Sequence, residues 1–187
     1  MQIPIIISLV LSATTLPSIS PTTQQELFQQ SNSISFSKSK RTLKNIYLQS
    51  NKNRTLYCSC SFDTNKQIDH DSCNYSPRIK SNKRSHRLEF EHIVPAHALG
   101  KNLQCWKKPI CEKRNGKKYK GRKCCSKISD EYKQMQSDMH NLFPAVGEVN
   151  GDRSNFIFGE IYGEERKYGQ CDFEVAERIA EPKKSIR

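Results

Sequence analysis

The stretch RLEFEHIVPA, residues 87–96, alternates apolar and polar side chains and then meets a proline. This alternation predicts a β-strand over residues 88–93 that ends at Pro95. Near its end the strand carries Glu91 beside His92. A carboxylate binds hard divalent cations, and a neutral imidazole can accept a proton from water. Because adjacent strand side chains point to opposite faces, the two can serve one site only where the strand ends or twists.

The charge of the chain indicates which partners to consider. Its 187 residues include 31 Lys+Arg against 19 Asp+Glu, a formal net charge of +12, and only 35% are hydrophobic. This length suits one well-buried domain. The positive field attracts nucleic acids, anionic membranes or acidic polymers. With a carboxylate–imidazole pair, it raises the hypothesis of phosphodiester cleavage. Taken alone, such a pair is more often a surface ion pair or a half-buried strand histidine.

The first residues of the chain form an apolar run, MQIPIIISLVLSA over residues 1–13, followed by small and polar residues. The run has the length of a signal peptide and is too short for a comfortable membrane span. We expect an export signal over residues 1–20, a polar arm over 21–40 and one domain over 41–187. A buried N-terminal strand is the alternative for the first segment. No other segment is apolar enough to span a bilayer.

Eight cysteines, an even number, favour disulfides in an exported basic domain. Zinc is the alternative, with Cys105, Cys111, Cys124 and Cys125 as thiolate ligands. Their spacing fits poorly, because adjacent residues rarely converge on one tetrahedral ion. The segment 101–127 also holds eleven Lys and Arg residues and a single acid, so it is interpreted as a basic loop tied by its own cysteines.

The remaining patterns predict an α+β domain of short strands and a few helices. The predicted elements are a helix over 39–50, a strand over 55–62, a polar loop over 63–86, a helix from the N-cap Ser129 to near Pro144, and a turn-rich segment over 147–155. In the last of these, Asn150 precedes a glycine and is by default a turn residue. Its side-chain oxygen is also a suitable ligand for Mg²⁺.

Four segments taken together resemble the endonuclease I family of periplasmic or secreted bacterial nucleases. They are RLEFEHIVPA (87–96), QCW (104–106), GRK (121–123) and DMHNLFPAVGEVNGDRSNF (138–156). The resemblance runs in the same order from about residue 54 to 182, and its last block is highly specific.

The resemblance implies a ββα-metal (His-Me finger) nuclease core with helices and a basic, disulfide-tied loop. Glu91 and Asn150 would bind the catalytic divalent ion, Mg²⁺ or a related cation. His92 would be the general base, and Arg122 would contact the phosphate. The implied function is metal-dependent, nonspecific cleavage of DNA, with RNA as a further candidate, to 5′-phosphorylated products. We expect backbone contacts with nucleic acid, no membrane association of the mature form, a monomer, and a periplasmic or secreted location.

The chain departs from the family pattern in three ways, since it ends at Arg187, carries Gln136 where relatives often have Glu, and holds a lysine-rich insertion with two extra cysteines. We therefore expect a C-terminally truncated member in which Cys111 and Cys124 pair with each other. A cysteine near Cys58 is expected to lack its partner if that partner normally lies in a further C-terminal segment.

Two other functions remain open at the level of sequence. The first is an HNH-type nuclease in which Asn102 replaces Asn150 as the essential residue. The second is a catalytically inactive basic protein that binds nucleic acid. His97 and His140 are interpreted as structural or surface histidines, and His70 and His86 as loop residues.

Overall fold

A computed structural model describes residues 35–163 and 165–186; the expected export signal and most of the polar arm lie outside these residues. The helices are α1 (Phe36–Gln49), α2 (Ala96–Gly100), α3 (Gln104–Lys107), α4 (Arg122–Ile128), α5 (Asp130–Ser137) and α6 (Gly147–Arg153). The strands are β1 (Ser61–Phe62), β2 (Ile68–Asp69), β3 (Leu88–His92), β4 (Cys111–Glu112), β5 (Lys118–Tyr119), β6 (Leu142–Val146), β7 (Ile157–Phe158), β8 (Phe173–Ala176) and β9 (Ile179–Pro182). No helix within these ranges has the length and apolar content needed to cross a bilayer.

The centre of the fold is an antiparallel pair, β3 with β6, followed directly by α6. Leu88 lies opposite Val146, and His92 lies opposite Leu142. Helix α6 begins at Gly147, the residue after β6, and packs against β3. Gly147 is required there, since a Cβ would lie 2.7 Å from the backbone oxygen of Arg84. The remaining strands form small sheets, with β7 parallel and β8 antiparallel to β9. The α+β class is confirmed.

Helix α1 and strand β3 agree with the sequence, although α1 begins three residues earlier than predicted. Ser35 caps α1 by accepting a hydrogen bond from the backbone N–H of Lys38. The buried hydroxyl of Ser39 donates to the backbone oxygen of Ser137 at 2.7 Å. This bond fixes α1 against the end of α5, so that Phe36 reaches the end of β3.

The predicted helix from Ser129 to near Pro144 is wrong in its second half. Ser129 caps α5 as expected, but the helix ends at Ser137, where Asp138 accepts a hydrogen bond from the N–H of His140 and starts a separate 3₁₀ turn. Pro144 then lies in β6, opposite Phe90. The sheet has only two strands, so a residue without an N–H is tolerated there. Apolar spacing alone did not distinguish the strand from a continued helix.

The predicted strand over 55–62 is wrong except for its last two residues. Residues 55–60 turn back on themselves, with the N–H of Thr55 donating to the oxygen of Cys60 and Ser59 at a positive φ of 60°. The predicted loop over 63–86 contains β2 and two 3₁₀ turns. The predicted turn segment over 147–155 is mostly α6, because tertiary contacts of Glu148 and Arg153 stabilise a sequence with weak helical propensity.

All eight cysteines form disulfides: Cys58–Cys171, Cys60–Cys73, Cys105–Cys125 and Cys111–Cys124. The zinc alternative is therefore wrong, and the expected pairing of Cys111 with Cys124 is confirmed. Cys58 and its neighbour Cys60 both have partners, so the expectation of an unpaired cysteine near Cys58 is wrong. The basic segment 101–127 is tied by two of these bonds and contains α3, the β4–β5 hairpin and most of α4. Its cysteines pack around Tyr132 as a second, smaller core.

Glu148 fastens α6 to the preceding loop and is only 1% exposed. Its carboxylate accepts four hydrogen bonds, from Tyr75 Oη (2.5 Å), the backbone N–H groups of Arg78 and Ile79 (both 3.1 Å) and Asn82 Nδ2 (3.0 Å). A buried carboxylate is tolerated only with such a set of donors. The loop 75–82 and the helix that carries Asn150 are therefore held as one unit.

We expect Glu148→Ala to lower the free energy of unfolding by roughly 3 kcal/mol, because several buried donors lose their acceptor. Tyr75→Phe, which removes one donor, should cost about 1 kcal/mol. Urea unfolding with the disulfides intact measures both. The exposed Glu112→Ala serves as the control and should change stability by less than about 0.5 kcal/mol. Equal stability of the Glu148 and Glu112 variants would contradict this role.

Candidate functional site

A cavity of about 520 Å³ is lined by all four residues that the sequence singles out: Glu91, His92, Arg122 and Asn150. They come from three elements. The end of β3 supplies the first two, the first residue of α4 supplies the arginine, and the middle of α6 supplies the asparagine. Residues separated by up to 59 positions in the chain thus line the same cavity.

The adjacent pair Glu91 and His92 reaches this cavity because β3 ends at His92. The chain beyond it is held by Asn141, which accepts from the N–H of Val94 (2.7 Å) and donates to the oxygen of the same residue (3.0 Å). Pro95 then precedes α2. The strand end that the sequence required is therefore present, and both side chains line the cavity from the last positions of the strand.

Arg153, which sequence reasoning did not select, joins the two residues. Its guanidinium is buried, with 2% of the side chain exposed. Nη1 lies 2.8 Å from Glu91 Oε1 and donates to the backbone oxygen of His92 at 2.8 Å, while Nη2 donates to the oxygen of Ile93 at 2.7 Å. One side chain at the end of α6 thus fixes the carboxylate and the backbone on both sides of the strand end.

Glu91 is 3% exposed and is held by two donors on one oxygen. Oε1 accepts from Tyr57 Oη at 3.0 Å and from Arg153, so that Oε2 takes neither of these contacts. Burial raises the pKa of Glu91 to about 7, against the opposing effects of Arg153 and Tyr57. The carboxylate is therefore close to its midpoint of ionisation near neutral pH, and a divalent cation would favour the charged form.

His92 is 5% exposed and is oriented by a backbone contact. Its Nε2 lies 2.9 Å from the oxygen of Gln136. Because a carbonyl oxygen only accepts, Nε2 carries the hydrogen and Nδ1 the lone pair. The ring of Phe36 lies 5.2 Å away, centroid to centroid. Burial lowers the pKa of His92 to about 4, assisted by the nearby cations Arg122 and Lys40, so the imidazole is neutral at pH 7.

Asn150 is oriented by Glu89, a second residue that sequence reasoning missed. Asn150 Nδ2 donates to Glu89 Oε2 at 2.8 Å, which turns the amide oxygen to the other side. The same carboxylate pairs with Arg84 and Arg87, each at 2.6 Å. Burial alone would raise the pKa of Glu89, but these three hydrogen-bond donors hold it below its ordinary value. The charged carboxylate of Glu89 therefore fixes the orientation of the Asn150 side-chain amide.

Arg122 lies at the edge of the cavity and is exposed. It opens α4 directly after Gly121, whose φ of 85° favours glycine. Its guanidinium carbon lies 5.4 Å from the centroid of the Phe36 ring, a cation–π contact. No ion pair of Arg122 with a carboxylate is found among the described residues, so its positive charge faces the cavity uncompensated.

The other candidates lie elsewhere or in supporting positions. Asn102 is exposed and does not line the cavity. His97 lines it but packs edge-on against Trp106. His140 is exposed and paired with Asp138, and His70 and His86 stack on each other.

The donor set fits a hard divalent cation with few protein ligands. No cluster of three or more His, Cys, Asp or Glu side chains suited to a metal ion occurs among the described residues. A Glu91 carboxylate oxygen and the turned amide oxygen of Asn150 are instead two hard oxygen donors lining one cavity. Mg²⁺ keeps several waters and commonly uses only one or two protein oxygens. The chemistry of the residues therefore accommodates such an ion.

The fold and the cavity together define an α+β protein with a buried carboxylate–histidine site bordered by cations. Comparison with known proteins adds the family, because the endonuclease I family model matches residues 18–187. The chain belongs to the endonuclease I family.

Three relatives illustrate the similarity. An extracellular deoxyribonuclease of Aeromonas hydrophila is 44% identical over 137 residues, 71% of this chain and 55% of the relative. A periplasmic deoxyribonuclease of the same species is 43% identical over 139 residues, 71% and 53% of the two chains. Endonuclease-1 of Buchnera aphidicola subsp. Acyrthosiphon pisum is 36% identical over 173 residues, 86% and 64%. The chain thus spans about half the length of the two deoxyribonucleases.

We expect Arg153→Met to lower the free energy of unfolding at pH 8 by about 3–5 kcal/mol, since Glu91 would be left buried and charged without its cation. The pKa of Glu91 should rise above about 7 because an opposing charge is removed. The loss should therefore shrink at pH 5, where Glu91 is neutral. Urea unfolding at both pH values measures this. The exposed Arg41→Met is the control, and a pH-independent loss equal to the control would contradict the role.

The shifts of Glu91 and His92 should give opposite pH dependences when either group is removed. The pKa of His92 is about 4 in the folded state against an ordinary 6.5, so the unfolded state binds more protons between these values. In His92→Gln this effect is lost, so stability relative to wild type should rise as the pH drops from 6.5 to 4.

In Glu91→Gln, the effect of Glu91 is lost instead. Its pKa is about 7 in the folded state against an ordinary 4.5, so the folded state binds more protons in this window. Stability of this variant relative to wild type should therefore fall as the pH drops from 7 to 4.5. Each difference is at most roughly 3 kcal/mol, and urea unfolding in EDTA measures it. The same sign in both variants would contradict the assigned shifts.

Proposed function

We propose that this protein is a secreted or periplasmic, metal-dependent endonuclease that hydrolyses phosphodiester bonds of DNA to 5′-phosphorylated products, with RNA as a further substrate. The observation that carries the proposal is the convergence of Glu91, His92, Arg122 and Asn150 on one cavity in a member of the endonuclease I family. The relatives named as extracellular and periplasmic deoxyribonucleases support the substrate and the location. The four disulfides support the location.

The catalytic core in this proposal is the ββα-metal unit formed by β3, β6 and α6. Its antiparallel strand pair and following helix have the order and packing that such a unit needs. Glu91 and Asn150 would hold a single divalent ion, which we propose is Mg²⁺. When bound, the ion polarises the scissile phosphate and stabilises negative charge on the departing 3′ oxygen.

His92 is proposed to accept the proton of the attacking water at Nδ1. Its pKa, lowered by burial, keeps that nitrogen unprotonated at neutral pH. As the proton arrives, the contact between Nε2 and the oxygen of Gln136 stabilises the resulting imidazolium and keeps the ring in place. The departure from the family pattern at Gln136 leaves this contact intact, because the backbone oxygen of Gln136 makes the contact and the side chain does not.

Arg122 is proposed to bind the phosphate oxygens. A guanidinium donates two parallel hydrogen bonds to a phosphate and offsets charge that grows during attack. Its exposure at the cavity edge and the lack of a carboxylate partner among the described residues support this role. Sequence-independent contacts of the surrounding cations with the backbone would position the nucleic acid without reading its bases.

Two alternatives are separable by mutation. An HNH-type site would depend on Asn102, but that residue is exposed and outside the cavity, which favours Asn150. A catalytically inactive binding protein would retain nucleic acid without cutting it. The oriented amide of Asn150 and the neutral buried imidazole are features that mere binding does not require.

The test is plasmid nicking by the purified protein with Mg²⁺ and with excess EDTA. We expect cutting that EDTA abolishes, and a 10²- to 10⁴-fold lower kcat/KM for His92→Ala, the range for loss of a general base. His140→Ala, which changes an exposed histidine outside the cavity, is the matched control and should cut as wild type does.

Asn150→Ala and Asn102→Ala distinguish the two nuclease sites. Only the first should abolish cutting; loss of cutting in the second alone would replace our assignment with the HNH type. Binding of plasmid without nicking under all conditions would instead overturn the enzyme proposal.

A further inference from the structure

Tyr57 contacts the site from outside the cavity. Its side chain is buried and does not contribute to the cavity walls, which include Glu91, His92, Arg122 and Asn150. Its hydroxyl nevertheless donates a hydrogen bond to Oε1 of Glu91 at 3.0 Å. Tyr57 therefore reaches a proposed ligand of the divalent ion from behind, at a position that does not border the space open to substrate.

The fold leaves the ring of Tyr57 little freedom. Its centroid lies 4.7 Å from that of Phe173 in β8 and 6.3 Å from that of Phe158 in β7. The next residue, Cys58, is bonded to Cys171, two positions before Phe173. Packing on two aromatic rings, with a covalent bond at the neighbouring residue, restricts the side chain to one position. The location of the hydroxyl is therefore set by parts of the chain outside the cavity.

The two oxygens of the Glu91 carboxylate differ in these contacts. Oε1 accepts from Tyr57 and lies 2.8 Å from Nη1 of Arg153, whereas neither donor contacts Oε2. The last torsion of a glutamate side chain is broad, so a single contact would let the carboxylate turn about its terminal bond. Two donors from separate segments, both on one oxygen, restrict that rotation.

We propose that Tyr57 is a positioning residue for the divalent ion: by holding Oε1 of Glu91 it presents Oε2 to the ion, and it thereby sets the affinity of the site for the metal. The inference rests on the proposed function, because it names a residue that supports the same site. Tyr57 acts only through Glu91. Loss of a partner that orients a metal ligand commonly weakens metal binding by roughly 10- to 100-fold.

The chain offers a closely matched pair of variants. Tyr57→Phe removes one hydroxyl and keeps the ring, and Glu91 retains its contact with Arg153. Tyr75→Phe is the control, because Tyr75 is also buried and its hydroxyl donates to the buried carboxylate of Glu148. Glu148 keeps its other donors and does not line the cavity. Each variant thus loses one buried tyrosine–glutamate hydrogen bond.

The first measurement is Mn²⁺ binding in the absence of nucleic acid. Mn²⁺ accepts the same carboxylate, carbonyl and water ligands as Mg²⁺, and electron paramagnetic resonance measures its free concentration. We expect the Kd for Mn²⁺ to rise by about 10-fold or more in Tyr57→Phe. Tyr75→Phe should bind Mn²⁺ as wild type does.

The second measurement separates positioning from stability. The Mn²⁺ concentration that gives half the maximal rate of plasmid nicking should rise in Tyr57→Phe by the same factor as the Kd. Urea unfolding should show similar losses in both variants, about 1 kcal/mol each, so that both remain folded during the titrations. A purely structural role of Tyr57 would lower stability and leave the Mn²⁺ affinity of the folded protein unchanged.

The outcomes distinguish this inference from the proposed function. A wild-type protein that binds Mn²⁺ and cuts plasmid, with equal Mn²⁺ affinity in Tyr57→Phe, would overturn the role of Tyr57 alone. Equally weakened binding in both variants would also overturn it, because the effect would then not be specific to Glu91. A wild-type protein that neither binds Mn²⁺ nor cuts would overturn the metal-dependent nuclease and the role of Tyr57 with it.

Discussion

The buried guanidinium of Arg153 is the contact on which the site depends. It binds the Glu91 carboxylate and the backbone oxygens of His92 and Ile93, and so joins the end of α6 to the end of β3. A buried cation is tolerated because it is paired and hydrogen-bonded. This single group therefore compensates the charge of a buried carboxylate and also fixes the strand end that lets adjacent side chains share a cavity.

Burial acts on the two neighbouring site residues in opposite directions. It raises the pKa of the Glu91 acid and lowers the pKa of the His92 base, because both shifts favour the neutral form. The result is an imidazole that is ready to accept a proton and a carboxylate whose charged form a cation would stabilise. Phe36 contributes an apolar wall beside His92, while Arg122 at the rim is exposed, as its proposed contact with an anion requires.

Two further carboxylates keep the surrounding parts in position. Glu148 on α6 accepts four hydrogen bonds from one loop, and Glu89 orients Asn150 while pairing with two arginines. The disulfides Cys105–Cys125 and Cys111–Cys124 tie the basic segment from which Arg122 emerges. With these constraints, a net-positive chain holds unpaired cations around a small acidic centre, an arrangement suited to an anionic polymer.

The sequence alone determined the α+β class, strand β3, the capped start of α5, the disulfide chemistry and the four residues that meet in the cavity, since these depend on local patterns and on motifs. It did not distinguish β6 from a continued helix or identify α6, because both are stabilised by contacts with distant residues such as Glu89, Arg84 and the strand β3. Tyr57 and Arg153 were also missed. Their roles arise from burial and proximity between segments far apart in the chain, which only the tertiary structure decides.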